Sequence, residues 1–218
     1  MKSRIVPLLG VLMIAAAAGL AALTFTPGSS WKDGGLFGGR GQLSGTSISM
    51  QTAQQNVQAF VDRSGNADLR IDEMMEFDQN FYALIKERST GIGAFELLVN
   101  KQSGSVVFEP GPDMMWNSKY SVMGAGGNMG ARGGMEARSA GAAMSVNSER
   151  ATQVAQAWLD RNRGGNSAGT PDAFYGYYTF HYLKAGRIAG MLSVNGSTGQ
   201  VWFHTWHGAF IQVLDLGA

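Results

Sequence analysis

Two distant stretches of the chain carry one hydrophobic pattern. Residues 94–109 and 190–206 both contain Leu-x-Val-Asn-x-x-x-Gly-x-Val-x-Phe. Side chains alternate along a strand, so Leu97 and Val99 share a face, and Val106 and Phe108 return along it. Leu192, Val194, Val201 and Phe203 repeat the arrangement. Residues 100–104 and 195–199 join the paired strands. In those turns Asn100, Gly104, Asn195 and Gly199 stand where positive φ is tolerated. The pattern predicts two hairpins of one design.

A helical period precedes each hairpin. Residues 53–63 place Val57, Phe60 and Val61 on one face, and residues 151–161 do the same with Val154, Trp158 and Leu159. The two segments align without gaps. Ala53/Ala151, Gln55/Gln153, Gln58/Gln156, Ala59/Ala157, Asp62/Asp160 and Arg63/Arg161 are identical, and Phe60 stands opposite Trp158. Ser148 is the expected N-cap of the second helix, with Glu149 in its first turn. Gly65 and the pair Gly164 and Gly165 are the expected stops. Strands are predicted at 73–77 and 81–87 around the turn 78–80, and at 173–183 and 188–194 around residues 184–187. The chain therefore reads as α+β, one unit used twice, each unit a helix packed on a three- to four-stranded antiparallel sheet.

The remaining segments frame these units. Residues 5–25 are uncharged and apolar, follow Lys2 and Arg4, and match the ~20 residues of a transmembrane helix. A cleaved signal peptide is the competing reading. Residues 1–25 are thus an anchor or signal, and 26–48 a Gly- and Ser-rich flexible tether. Residues 49–110 form unit 1, 111–147 a Gly- and Met-rich linker, and 148–214 unit 2. The expected location is the cytoplasmic (inner) membrane, crossed once, with the C-terminal part in the periplasm or outside the cell.

Composition narrows the chemistry. The 218 residues carry a net charge of +1 and only 15% charged side chains, which gives no reason to expect a nucleic-acid partner. The absence of cysteine excludes disulfides and thiolate metal sites, so an exported fold must hold by packing. No nucleophile elbow, zincin or phosphate-loop motif is present, and the expectation is a protein that is not an enzyme. Asp72, Glu73, Glu76 and Asp78 read as a solvated strand edge.

Two groups of residues remain as candidates. The strands of unit 2 are so rich in aromatics that alternation cannot bury them all on one face. Tyr175, Tyr177, Trp202 and Trp206 are therefore expected to form a face that binds another protein. The alternative is metal handling, with copper held by Met123, Met129 and Met135 of the linker and by His204 and His207. An extended strand points positions 204 and 207 to opposite faces unless the chain turns at Trp206.

The helix, the antiparallel strands and a hairpin ending in Val-Asn-x-x-x-Gly-x-Val resemble PepSY-like domains. The likeness rests on Val99, Asn100, Gly104 and Val106, on Val194, Asn195, Gly199 and Val201, and on Val57/Phe60 and Val154/Trp158 of the helices. It covers residues 50–109 and 148–212. Domains of this family are small exported or membrane-anchored modules, found also in propeptides of secreted metallopeptidases. The resemblance implies non-catalytic binding or regulation of a separate exported or membrane protein, no cofactor, and no catalytic residues to carry over.

Overall fold

The computed structural model describes residues 47–120 and 144–217. The predicted anchor and most of the tether and linker, including Met123, Met129 and Met135, lie outside the described residues. Among the described residues no helix is long and apolar enough to cross a membrane. All of them belong to Leu43–Ala218, which clusters as one compact unit.

Helix α1 spans Met50–Asp62 and is capped by the Ser49 side chain. Strands β1 (Leu69–Phe77), β2 (Asn80–Glu87), β3 (Gly93–Asn100) and β4 (Val106–Phe108) follow, then the short helix α2 (Pro112–Trp116). Helix α3 (Ser148–Asn162) opens the second half, ahead of β5 (Asn166–Ala173), β6 (Tyr177–Lys184), β7 (Arg187–Asn195) and β8 (Val201–Phe203). Strand β9 (Phe210–Asp215) closes the chain. All strands within the two sheets pair antiparallel, and the fold is α+β. The helices bury matching positions: Ala53, Val57 and Val61 in α1, and Ala151, Ala155 and Leu159 in α3.

Strand alternation sorts the side chains into three apolar layers. Met74, Phe81, Ile85, Phe95, Leu97 and Val99 face α1. Tyr178, Phe180, Leu192 and Val194 face α3. The opposite faces of both sheets meet in a middle layer, where Met75, Phe77, Tyr82, Leu84 and Leu98 pack against Phe174, Tyr177 and Met191. The order of layers is thus helix, sheet, sheet, helix.

The predicted turns have the expected geometry. Gly104 has φ +71° and Gly199 φ +72°. In each turn the Asn side chain accepts from two backbone N–H groups, those of Gln102 and Ser103 or of Ser197 and Thr198. The glycine N–H returns to the Asn carbonyl at 2.9 Å in both. The surroundings differ. A Cβ on Gly104 would meet Asn56 Nδ2 at 2.6 Å, whereas at Gly199 the nearest atom is Val154 Cγ2 at 4.0 Å. Gly199→Val should therefore cost about 1–3 kcal/mol from backbone strain alone. Gly104→Val should cost more, because it also displaces Asn56, whose Nδ2 donates to the Gly104 carbonyl. Urea denaturation of both variants measures the difference, and equal midpoints would contradict this account.

Several expectations are corrected. The second sheet has the order β5-β6-β7-β8, while β9 crosses to the first, giving β4-β3-β2-β1-β9. A second unit ending at 214 is therefore not self-contained, because its last strand completes the first sheet. For the same reason β1 is not an edge. Asp72 pairs with Arg70 and Lys86, Glu73 with His181, and Glu76 with Lys101. The linker begins later than residue 111: Pro112, Asp113, Asn117 and Tyr120 are buried, because this apolar opening fills space beside the middle layer. At its other end, Met144 and Val146 pack under α3. The tether likewise stops before Ile48, whose N–H donates to Lys101 and whose side chain packs on the first core. The N-cap of α3 is Asn147 rather than Ser148. Strand β5, with its small and polar side chains, was not expected. Its Pro171 is accommodated because β5 is an edge strand that carries a bulge.

Candidate functional site

The middle layer holds an unusual concentration of buried polar groups. Glu96 and Glu109 are both 0% exposed, and Asp113, Asn80, Asn117, Thr179, Ser193, His204 and His207 lie with them in the interior. Alternation puts them there: Phe95, Leu97 and Val99 point to α1, so Glu96 points into the middle layer.

One arm is a carboxyl–phenol network. Tyr82 Oη donates to Glu96 Oε1 at 2.7 Å, and Tyr177 Oη lies 2.8 Å from Glu96 Oε2 and 3.1 Å from Asp113 Oδ1. Burial pushes the carboxyls of Glu96 and Asp113 well above the usual range, and the nearby charge of Glu109 adds to both. A proton retained on Asp113 fits the hydroxyl count, because Tyr177 has one proton for two carboxyl neighbours.

The other arm joins the two halves at Glu109. Strand β8 ends at Phe203, and the loop that follows carries both histidines inward. His207 Nε2 stands 2.9 Å and His204 Nδ1 3.3 Å from Glu109 Oε1. Trp206 Nε1 donates to the same oxygen at 3.0 Å. Asn80 grips the loop: its Nδ2 donates to the Trp206 carbonyl, and its Oδ1 accepts from His207 Nδ1 at 3.0 Å. His204 Nε2 lies 3.0 Å from Ser193 Oγ, which bonds onward to Thr179 Oγ1. Phe77 stacks on the His207 ring and Trp206 on His204, with centroids at 4.4 and 4.8 Å. Burial lowers the pKa of His207 against the opposing pull of Glu109. Burial alone raises the Glu109 carboxyl, but the adjoining histidines outweigh it and hold the group below its ordinary value. The His207 pair is thus a neutral imidazole beside a carboxylate. A pocket of about 220 Å³ reaches both histidines, lined also by Arg163, Tyr182 and Phe203.

The expected aromatic face is not assembled on the surface. Tyr177 is fully buried. Tyr175 is half-buried, and its hydroxyl donates to Glu87 Oε2 at 2.8 Å. Trp202 packs edge-on against Trp116 at 5.8 Å, and Trp206 is committed to Glu109. Tyr175, Tyr177 and Trp206 bond across to the first half and Trp202 packs on α2, so the four rings are not gathered on one open face. The two histidines do meet, because the chain leaves strand geometry after Phe203. Glu109 was missed, although the repeat pointed to it. Glu109 follows Val106-x-Phe108 as His204 follows Val201-x-Phe203. The backbone N–H groups of both donate to matching strand carbonyls, Glu96 and Met191.

The sequence matches no protein-family model and no curated protein. Among solved structures the chain is similar to the Bacillus megaterium YpeB C-terminal domain, at 12% identity and a TM-score of 0.24, over 72% of this chain and 62% of that one. The chain thus spans less than two thirds of that structure.

Proposed function

We propose that this chain is a non-catalytic, membrane-anchored exported protein of PepSY-like type that binds another exported or membrane protein. In this reading the helix-and-strands order that occurs twice is a pair of PepSY-like units fused through their sheets, and residues 5–25 hold them at the membrane. The observation that carries the reading is β9. It pairs with β1 on one side only, and among the described residues no strand lies beyond it. Ile211, Val213 and Leu214 are 51, 44 and 37% exposed, three of the four large apolar side chains open to solvent among the described residues. A free edge with outward apolar side chains offers backbone bonds and side-chain contacts to an extended segment of a partner, the chemistry of strand addition.

A photocrosslinker placed at Val213 of the full chain, in its own membranes, tests this. The expected result is one adduct with an exported polypeptide, absent when the crosslinker replaces Arg161 on α3 and lost in Ile211→Lys. An adduct only with a second copy of this chain, or equal labelling from both positions, would overturn the reading.

A further inference from the structure

We propose that Glu109, His204 and His207 bind one divalent first-row transition-metal ion, with zinc the best fit. This goes beyond partner binding and rests on separate observations. The three ligand atoms lie within 4.8 Å of one another. Two of the separations, 2.9 and 3.3 Å, match the roughly 3–3.5 Å between neighbouring ligands that each sit about 2.0–2.2 Å from one ion.

Glu109 Oε1, to which both separations run, also accepts from Trp206 Nε1, but the two nitrogens and the second carboxylate oxygen have no other role. His204 Nδ1, His207 Nε2 and Glu109 Oε2 are buried and make no hydrogen bond. The proton of His207 is located by Asn80. That amide donates its Nδ2 to a carbonyl, so Oδ1 must accept from His207 Nδ1. Nε2 then turns a lone pair toward a carboxylate oxygen. On His204 the Ser193–Thr179 chain can accept from Nε2–H, which frees Nδ1 in the same way. In these tautomers two lone pairs and one carboxylate converge, an arrangement that a bound cation relieves. A proton joins one nitrogen to one oxygen, whereas a metal ion serves all three ligands.

The surroundings match those of metal-bound imidazoles, whose second nitrogen is held by an outer partner that fixes tautomer and ring orientation. Asn80 and Ser193 fill that position, and Phe77 and Trp206 hold the rings by stacking. Two imidazoles and a carboxylate, with no sulfur, suit zinc or another divalent ion rather than Cu(I). A pocket lined in part by both histidines adjoins the site. Because Glu109 follows β4 while the histidines precede β9, the ion would clamp the segment that leads β9 to the first sheet.

The test uses the full chain, stripped with a chelator and titrated with Co²⁺. The expected result is one equivalent bound, with a visible d–d spectrum displaced by Zn²⁺, and a melting temperature raised by about 5–10 °C at a hundredfold excess over Kd. Glu109→Gln and His207→Gln should abolish the spectrum. His181→Gln should keep it, since His181 Nε2 pairs with Glu73 instead. X-ray absorption of the zinc-loaded parent needs no variant to fold and should show two imidazoles and oxygen, with no sulfur. Absence of stoichiometric binding, a spectrum that survives both substitutions, or sulfur in the shell would overturn the site.

Discussion

Tyr177→Ser should cost at least about 4 kcal/mol and is expected to leave little folded protein at 37 °C. The ring is fully buried between the sheets. It stacks on Phe174 with centroids 4.6 Å apart and planes 9° from parallel, and meets Trp116 edge-on. Serine removes all of that contact and leaves a void that Phe174, Tyr82 and Met191 cannot fill without moving. Its hydroxyl is also too short to reach Glu96 or Asp113, so two buried carboxyls lose a partner at about 1–3 kcal/mol for an unsatisfied group. Tyr177→Phe separates the two effects, keeping the ring and losing only the hydroxyl. It should cost about 1–3 kcal/mol. Urea denaturation of both variants at pH 7 makes the measurement. A serine variant within 1 kcal/mol of the parent would mean that the middle layer does not pack as described.

The same residue shows where sequence reasoning reached and where it stopped. The hairpins were legible because their information is local: alternating apolar positions, an Asn that accepts from its own turn, and a Gly at φ near +70°. The helices were legible for the same reason. Which face of each sheet meets which partner is not local information. Two half-covered sheets can expose their second faces or press them together, and the alternation of Tyr177 against Tyr178 reads the same either way. The aromatics of β6 to β8 fit a binding face and a core shared by the two units equally well, because the pattern of the second sheet alone does not choose between them. Strand β9 escaped for the same reason, since its pairing with β1 spans most of the chain. Glu96 and Glu109 would be costly in a core judged residue by residue. They are tolerated because partners arrive from the other half, Tyr177 for one and His204, Trp206 and His207 for the other. Only the matching positions of Glu109 and His204 in the repeated motif hinted that the two would meet.

Glu87 should make a large pH-dependent contribution to stability as a single carboxylate. It ends β2, is 2% exposed, and draws three separate segments onto the sheet. Lys119 Nζ and Tyr120 Oη donate to Oε1 at 2.6 and 2.5 Å, and Thr90 Oγ1 and Tyr175 Oη donate to Oε2 at 2.7 and 2.8 Å. Burial alone raises the carboxyl, but the four donors, led by Lys119, outweigh it and bring the pKa from 4.5 down to about 2. A group depressed in the folded state contributes stability above its unfolded pKa and loses it as the pH falls toward the folded value. The contribution should therefore be complete at pH 7, about 3 kcal/mol, and decline from pH 4.5 toward pH 2. Glu87→Gln keeps the bulk but presents an amide N–H₂ to donors that need an acceptor, so it should cost at least about 3 kcal/mol at pH 7. The gap between parent and variant should then shrink by about 2 kcal/mol between pH 7 and pH 3, as the parent loses what the variant never had. Other carboxylates titrate in the same range, but they do so in both proteins and cancel in the difference. Paired urea denaturation curves at pH 7, 5, 4 and 3 give that difference directly. A gap that stays constant with pH would mean that Glu87 is not held as a carboxylate by these four donors, and that residues 117–120 and Tyr175 are fastened to the sheet by packing alone.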